Sequence, residues 1–484
     1  MRNLLYIILG LVMFAACIED EEFADITQPC LTFSVDSVDF DTLIAGQRSV
    51  THSFRVYNPT DKNVKVANVQ LTSAAEGVFR ANVYGAYVEE GVVADFELRA
   101  KDSITIFVDA MPPATDSDTP VRYDAQLLFY LQGGAVQAID LYVAGQEFVT
   151  YNGLVVTHDT VFTAKRPFHI IDSLVVEAGA TLTIEPGVVL MMSAEASVDV
   201  RGRLVACGNV DAPIVFRGDR LDDMFKDQPY DRISGQWGGV RFRASSFENK
   251  LDFVDIHSAT YGVYCDSSSL EPLKLQLENS VVHNVVADAL SLYACSSFVG
   301  NTQISNAGGN CVTVRGGNHQ FVHCTLAQFY PFSAMRGSAL NFANCESDLR
   351  YPLEKLAFVN CIITGYAMDE IMGASSDRYK DDAFNYSFDH CLLNTPAYES
   401  PNLRDCVWDD GDSGVSRADN FAPAFDVDKL IFTFGLAPES AAVGSADAQV
   451  TATTYPLDRN GIPRNMERPD MGCYTFMPND SVEN

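Results

Sequence analysis

The chain has 484 residues, 47% of them hydrophobic, with 64 acidic and 33 basic side chains for a formal charge of −31. That length accommodates two or three domains with substantial cores. The charge excludes a nucleic-acid partner, which needs clustered Lys and Arg against phosphate, and a basic membrane-surface role.

Residues 1–17 read MRNLLYIILGLVMFAAC. Arg2 precedes an apolar run from Leu4 to Ala16. The run is too short to span a bilayer, which takes about 20 apolar residues, but it has the plan of a secretory signal. Phe14-Ala15-Ala16-Cys17 resembles a bacterial lipobox, although Phe14 replaces the usual aliphatic residue. The resemblance implies cleavage before Cys17 and lipidation of its thiol, each buried acyl CH₂ contributing about 0.8 kcal/mol to anchoring. Residues 18–29 form an acidic linker, in which Ile18-Glu19-Asp20-Glu21-Glu22 resembles the export tag of Bacteroidetes-type surface lipoproteins. The implied location is the outer membrane, lipid-anchored and facing the cell exterior.

Residues 30–150 are predicted to form a β-sandwich of short strands. "THSFRVYNPT" alternates and breaks at Asn58-Pro59, "NVKVANVQL" and "DSITIFVDAMPP" alternate again, and two further strands meet at Gly133-Gly134. The strand end "F-x-V-x-N-P", the "D-S-I-T-I-x-V" strand and the closing "L-Y-V-A-G" resemble immunoglobulin-like domains of the ASPM/hydin kind. Such domains serve as spacers or interaction modules, and no catalytic cluster is evident here.

Residues 151–400 are predicted to form a right-handed parallel β-helix. One unit recurs: Asn or His, then Ser, Thr or Cys, then any residue, then an aliphatic. It begins at Asn279, Asn301, His323, Asn360 and His390. The first three copies lie about 22 residues apart, and insertions lengthen the later gaps. The first residue belongs at a bend where left-handed dihedrals are tolerated. The second and fourth then face inward by strand alternation, and stacked coils bury one continuous core. Phe298, Phe321, Phe358 and Phe388 stand just before the bends.

The cysteines follow from this pattern. Cys324, Cys361 and Cys391 take the inward slot that Ser280 and Thr302 occupy elsewhere, as small hydrophobes. Cys265, Cys295, Cys311 and Cys345 are expected to pack likewise. With no CxxC pairs, structural zinc is not expected. His323 and His390 read as bend residues, with a metal site around Asn360 as the alternative.

"L-T-I-E-P-G", "G-x-L-x-A-x-G", "P-I-x-F" and "W-G-G" resemble the opening coils of bacterial surface β-helix proteins. The ending "RPDMGCYTF" resembles β-helix proteins with a choice-of-anchor Q domain, with Cys473 in place of the usual Ala. Residues 401–484 are expected to be terminal coils or a cap, with Phe421, Phe425, Phe432 and Phe434 covering an open end.

The fold class hosts both enzymes and binding proteins. The Gly-His-Gly and Asn-Thr-Asp signatures of polygalacturonases are absent, as is the W-I-D-H of pectate lyases. Asp381-Asp382 and Asp409-Asp410 sit in loop-like sequence, and nothing places Arg315 or Lys355 beside a carboxylate cluster. The leading expectation is therefore a non-catalytic glycan-binding or adhesion protein. The alternative is a polysaccharide lyase or glycoside hydrolase. Aromatic side chains that could stack on sugar are Tyr330, Phe332, Tyr366, Tyr379 and Trp408. No cofactor is expected, with Ca²⁺ at Asp409, Asp410 and Asp412 as the one alternative; as solvated turn residues these three would hold nothing. The expected partners are the outer membrane, through the lipid anchor, and a polysaccharide.

Overall fold

The computed structural model describes residues 23, 26–73, 77–88, 92–93, 95–225, 227–409, 417–422 and 425–478. Cys17, the apolar leader and the acids at 19–22 lie outside the described residues, as do Asp410 and Asp412. The chain divides into two compact units, Met1–Glu147 and Phe148–Asn484.

In the first unit, alternating strands build two antiparallel-rich sheets. One joins Thr32–Phe33, His52–Tyr57, Ser103–Ala110, Phe79–Val83 and Ala86–Val88. The other joins Ser37–Ile44, Val136–Gln146, Val121–Leu131 and Val64–Ser73, with Val92–Val93 and Phe96–Leu98 beside the last. Leu127, Phe129 and Leu131 point inward by alternation and meet Phe54, Val56 and Ile106 in one core. This is an immunoglobulin-like sandwich. The break at Asn58-Pro59 has a physical cause. Asn58 is buried, and its Nδ2 donates to the carbonyls of Lys62 (2.9 Å), Leu98 (3.1 Å) and Arg99 (2.9 Å), while its Oδ1 accepts from the Thr60 amide at 3.0 Å. One side chain thus satisfies backbone groups that a strand end would otherwise strand.

The second unit is a right-handed parallel β-helix of three sheets. Sheet I runs from Val149–Tyr151 to Val407–Trp408, sheet II from Leu154–Val156 to Ile371–Ala374, and sheet III from Thr160–Phe162 to Leu403–Arg404. Each turn of the coil adds a strand to each sheet, so identical positions stack in parallel register. The bend between sheets III and I falls on the repeat's first residue. Asn279, Asn301, His323, Asn360 and His390 all have positive φ, between 48° and 57°. Asn and His tolerate this conformation better than most residues.

The inward slot after the bend holds Ser280, Thr302, Cys324, Cys361 and Cys391, all buried. Each donates to the carbonyl two residues back: Ser280 at 2.6 Å, Thr302 at 2.8 Å, Cys324 at 3.5 Å, Cys361 at 3.2 Å and Cys391 at 3.3 Å. In these five coils the slot holds a small side chain with an O–H or S–H, whereas Val254 fills it in the coil before Ser280. Behind it, Phe321, Phe358 and Phe388 stack at 4.5 and 5.2 Å. Phe298 does not join them. The register pairs Val299 with Phe321, so Val299 fills the inward place and Phe298 turns outward. Cys265, Cys295 and Cys311 are buried, but Cys345 is half-exposed, because it lies in a hairpin with Leu349–Arg350 inserted into its coil.

Among the described residues after Trp408, the expected covering phenylalanines lie against the side of the coil. Phe421, Phe434, Leu436 and Met471 pack on Ala327, Ile362 and Leu392, which face outward from sheet I, with Phe425 and Phe432 beside them. The expected cap is thus a strap along the side. The last coil is filled instead by Trp408, which follows Leu393 in the inward column and packs on the main core.

Candidate functional site

The outer face of sheet I carries polar residues where the strap does not cover it. In Val254–His257, after the bend at Phe253 (φ 51°), alternation turns Asp255 and His257 outward. In the next coil the same positions hold Val281 and His283, and the register sets His257 beside His283. Their rings are 5.0 Å apart. Residues after Gly218 leave the coil as an insertion, whose 3₁₀ turn Tyr230–Arg232 brings Asp231 over this face.

These side chains form one network. His257 Nδ1 is 2.8 Å from Asp255 Oδ1, and His257 Nε2 is 2.8 Å from Asp231 Oδ1. His283 Nε2 is 3.3 Å from Asp255 Oδ1, and Arg217 Nη2 is 2.9 Å from Asp231 Oδ1. Burial opposes charge on His257. The charge of Asp255 and hydrogen bonds with Asp231 and Asp255 outweigh it and raise the imidazole pKa to about 9. Burial likewise opposes ionisation of Asp255 and Asp231. Their histidine partners, with Arg217 for Asp231, nevertheless hold both below their ordinary pKa. Buried Trp237 donates from Nε1 to the His257 carbonyl at 2.8 Å and fixes the backbone beneath the site.

His283 also lines a cleft of about 310 Å³ between the sheet, the insertion and the strap. Its floor is Asn284, Gln303, Ser305 and Asn306, and its strap wall includes Ile431 and Phe432. Gln303 Nε2 donates to Ser305 Oγ at 2.8 Å, and Tyr474 of the strap donates to Gln303 Oε1 at 2.6 Å. Asn306 Oδ1 is buried with no hydrogen-bond partner. A buried acceptor left without a donor carries a desolvation cost of about 1–3 kcal/mol.

Asp389, His390 and Asp405 form a second cluster. Arg404 engages Asp389 through two nitrogens, and His390 Nδ1 sits 2.7 Å from the same carboxylate. That geometry is an ion-pair network closed by the arginine. His323 and His390 do not pair around Asn360. His323 is buried beside Thr451 Oγ1 (2.9 Å) and Asn360 Nδ2 (3.0 Å), and burial followed by the Arg464 charge lowers its pKa.

The aromatic candidates scatter. Tyr330 is buried with its hydroxyl 2.8 Å from Ser234 Oγ, so it is a packing residue and offers no sugar platform. Trp408 is the end plug described above. Tyr379, at another corner of the coil, donates to the Asp348 carbonyl at 2.9 Å and clamps the inserted hairpin. Phe332 and Tyr366 are exposed, 44% and 42%, in loops of adjacent coils between sheets I and II. Asp409 Oδ2 accepts from Thr364 Oγ1 (3.1 Å) and Asn420 Nδ2 (2.9 Å), and the other two acids proposed for calcium lie outside the described residues. Asp382 pairs with Arg350, Arg315 with Glu346 at 3.4 Å, and Lys355 donates to Gln320 at 3.3 Å.

The Asp255–His257–His283 group escaped the repeat reading because its coil bends at Phe253, outside the Asn/His pattern. Aligning "FVDIH" with "NSVVH" would have stacked the two histidines.

No protein-family model matches the chain, and no curated protein matches it. Among solved structures, the PapD-like domain 7 of human CEP192 is 12% identical, covering 27% of this chain and 93% of its own, with TM-score 0.18. The E. coli chaperone DraB is 12% identical over 26% of this chain and 58% of its own, TM-score 0.18. A family 28 exopolygalacturonase from Yersinia enterocolitica is 9% identical over 76% of this chain and 86% of its own, TM-score 0.26. At these scores the likenesses carry no functional argument.

Proposed function

We propose that this chain is a lipid-anchored protein of the bacterial cell exterior that binds a glycan in the sheet I cleft without cleaving it. The observation that carries the reading is the cleft's composition. The slightly exposed amides of Asn284 and Gln303 form its polar floor over buried Ser305 and Asn306, and half-buried Phe432 stands in its wall. Sugars present hydroxyls to such a floor and an apolar C–H face to such a ring. The lipobox-like Phe14–Cys17 and the acids that follow support the anchor and the outward location, and the immunoglobulin-like unit serves as a spacer.

The alternative, a hydrolase or lyase, would draw on Asp231 and Asp255 beside the cleft. A glycosidase needs one carboxyl held protonated to serve the leaving group. Both of these are held ionised by His257 and its neighbours, so neither suits the role of a glycosidase's protonated acid. A glycan array probed with the purified protein, followed by product analysis on every hit, tests the reading. Intact glycan bound by the wild type supports it; unsaturated or newly reducing ends sink it. Cys17→Ala should move the protein from membrane to soluble fractions, and a variant that stays membrane-bound removes the anchor from the account.

A further inference from the structure

We propose that Asp255, His257 and His283 bind a divalent first-row transition metal of the zinc class through Asp255 Oδ1, His257 Nδ1 and His283 Nε2. The inference stands apart from the glycan reading and does not require it.

Geometry carries it. One ligand atom from each residue lies within 4.8 Å of the other two. Asp255 Oδ1 is 2.8 Å from His257 Nδ1 and 3.3 Å from His283 Nε2. Ligand atoms about 2.0–2.2 Å from a tetrahedral zinc ion stand about 3.3 Å apart, so small side-chain movements complete the set. Two imidazoles and one carboxylate match zinc and its neighbours in the first transition row, whereas Ca²⁺ and Mg²⁺ are held by oxygen ligands. All three residues come from hydrogen-bonded strands of adjacent coils, a rigid mount for a site.

The surroundings also fit. A metal-bound histidine typically presents its other ring nitrogen to a carboxylate, which fixes tautomer and orientation. With Nδ1 given to the metal, His257 presents Nε2 to Asp231 Oδ1 at 2.8 Å, and Arg217 holds that carboxylate at 2.9 Å. Trp237 secures the same residue's backbone. Three protein ligands leave a zinc ion with an open position. His283 also lines the cleft.

The test is metal content of the full chain after exposure to Zn²⁺ and removal of loose metal, with Co²⁺ as a spectroscopic probe. One equivalent of zinc, a ligand-field Co²⁺ spectrum, and displaced His257 and His283 ring-nitrogen resonances on adding Zn²⁺ are expected. His283→Ala and Asp255→Asn should each lose the equivalent while keeping the wild-type circular dichroism. Asp231→Asn should weaken binding about 10- to 100-fold, and His390→Ala, in the other cluster, should leave it unchanged. Zinc retained in full by both ligand variants overturns the proposal, and so does a wild type that holds no more zinc than His283→Ala. Should the variants fail to fold, the wild-type titration decides alone, and unmoved imidazole resonances are the contrary result.

Discussion

Arg464 Nη2 donates to Asn301 Oδ1 at 2.9 Å, joining the strap to a bend residue 163 positions earlier in the chain. The same guanidinium donates to the carbonyls of Gly472 (2.9 Å) and Asp470 (3.3 Å), and the whole group is buried. A bend asparagine thus serves two ends: its backbone turns the coil, and its side chain receives the strap that walls the cleft.

Arg464→Ala should therefore loosen the strap. Asn301 Oδ1 and the Asp470 carbonyl lose their donor inside the protein, at about 1–3 kcal/mol for each acceptor that water cannot reach, while the Gly472 carbonyl keeps His323 Nδ1 at 3.3 Å. The expected loss is about 3 kcal/mol in denaturant unfolding, with faster amide exchange at residues 430–474 than elsewhere in the second unit. Exchange that accelerates evenly through the coil would contradict this role.

The cysteine slot predicts an order of tolerance. Cys361→Ser keeps the donor to the carbonyl two residues back, as Ser280 does at 2.6 Å, and should cost about 1 kcal/mol or less. Cys361→Leu adds volume to a buried stack and should cost about 1–3 kcal/mol. Burial also pushes the Cys361 and Cys311 thiols well above their ordinary pKa, so reagents for thiolates should reach half-exposed Cys30 and Cys345 first. Mass mapping of partial alkylation reads that order directly.

Trp408→Ala separates the plug from a sugar platform. Because Trp408 stacks beyond Leu393 at the coil's last turn, its loss should lower the melting temperature and leave glycan affinity within about twofold, less than 0.5 kcal/mol. A protein of unchanged stability that has lost glycan binding would restore the sequence-based reading of this residue.

Buried His319 sets a pH dependence. Its Nε2 lies 2.9 Å from the Gly316 carbonyl, which can only accept, so Nε2 carries the proton and Nδ1 accepts from Ser297 Oγ at 2.8 Å. Burial lowers its pKa from 6.5 to about 4. The unfolded chain then binds a proton that the folded chain refuses, so stability falls as pH drops from about 6.5 towards 4, by roughly 3 kcal/mol from this group. Glu370 acts in the opposite sense. Burial raises its pKa from 4.5 to about 7, so its contribution falls as pH rises between those values. Nitrogen-resonance titration of His319 should show a neutral ring down to about pH 4; protonation near 6.5 would refute the assignment.

Much of the fold was legible because it repeats. Bend, slot and aliphatic recur on fixed neighbours, so Asn279, Thr302 and Cys361 could be placed from spacing alone, and Asn58-Pro59 marked a strand end that its hydrogen bonds explain. The site was less legible because it depends on side chains that no local pattern brings together. Asp231 comes from an insertion, Phe432 from a strap more than 100 residues beyond the floor it faces, and Phe253 hides the coil that carries His257. Trp408 and Tyr330 show the complementary failure: an aromatic residue in loop-like sequence gives no sign of whether it faces solvent or fills a gap.

The sheet I cleft is proposed to hold a glycan and leave it whole. Its most direct test is calorimetric titration of an array-selected oligosaccharide into the wild type and into Phe432→Ala, with the recovered sugar analysed by mass. Saturable wild-type binding is expected, about tenfold weaker or worse in the variant (about 1.4 kcal/mol), with sugar of unchanged mass. Equal affinity in the two proteins, or a shortened or unsaturated sugar, would contradict it.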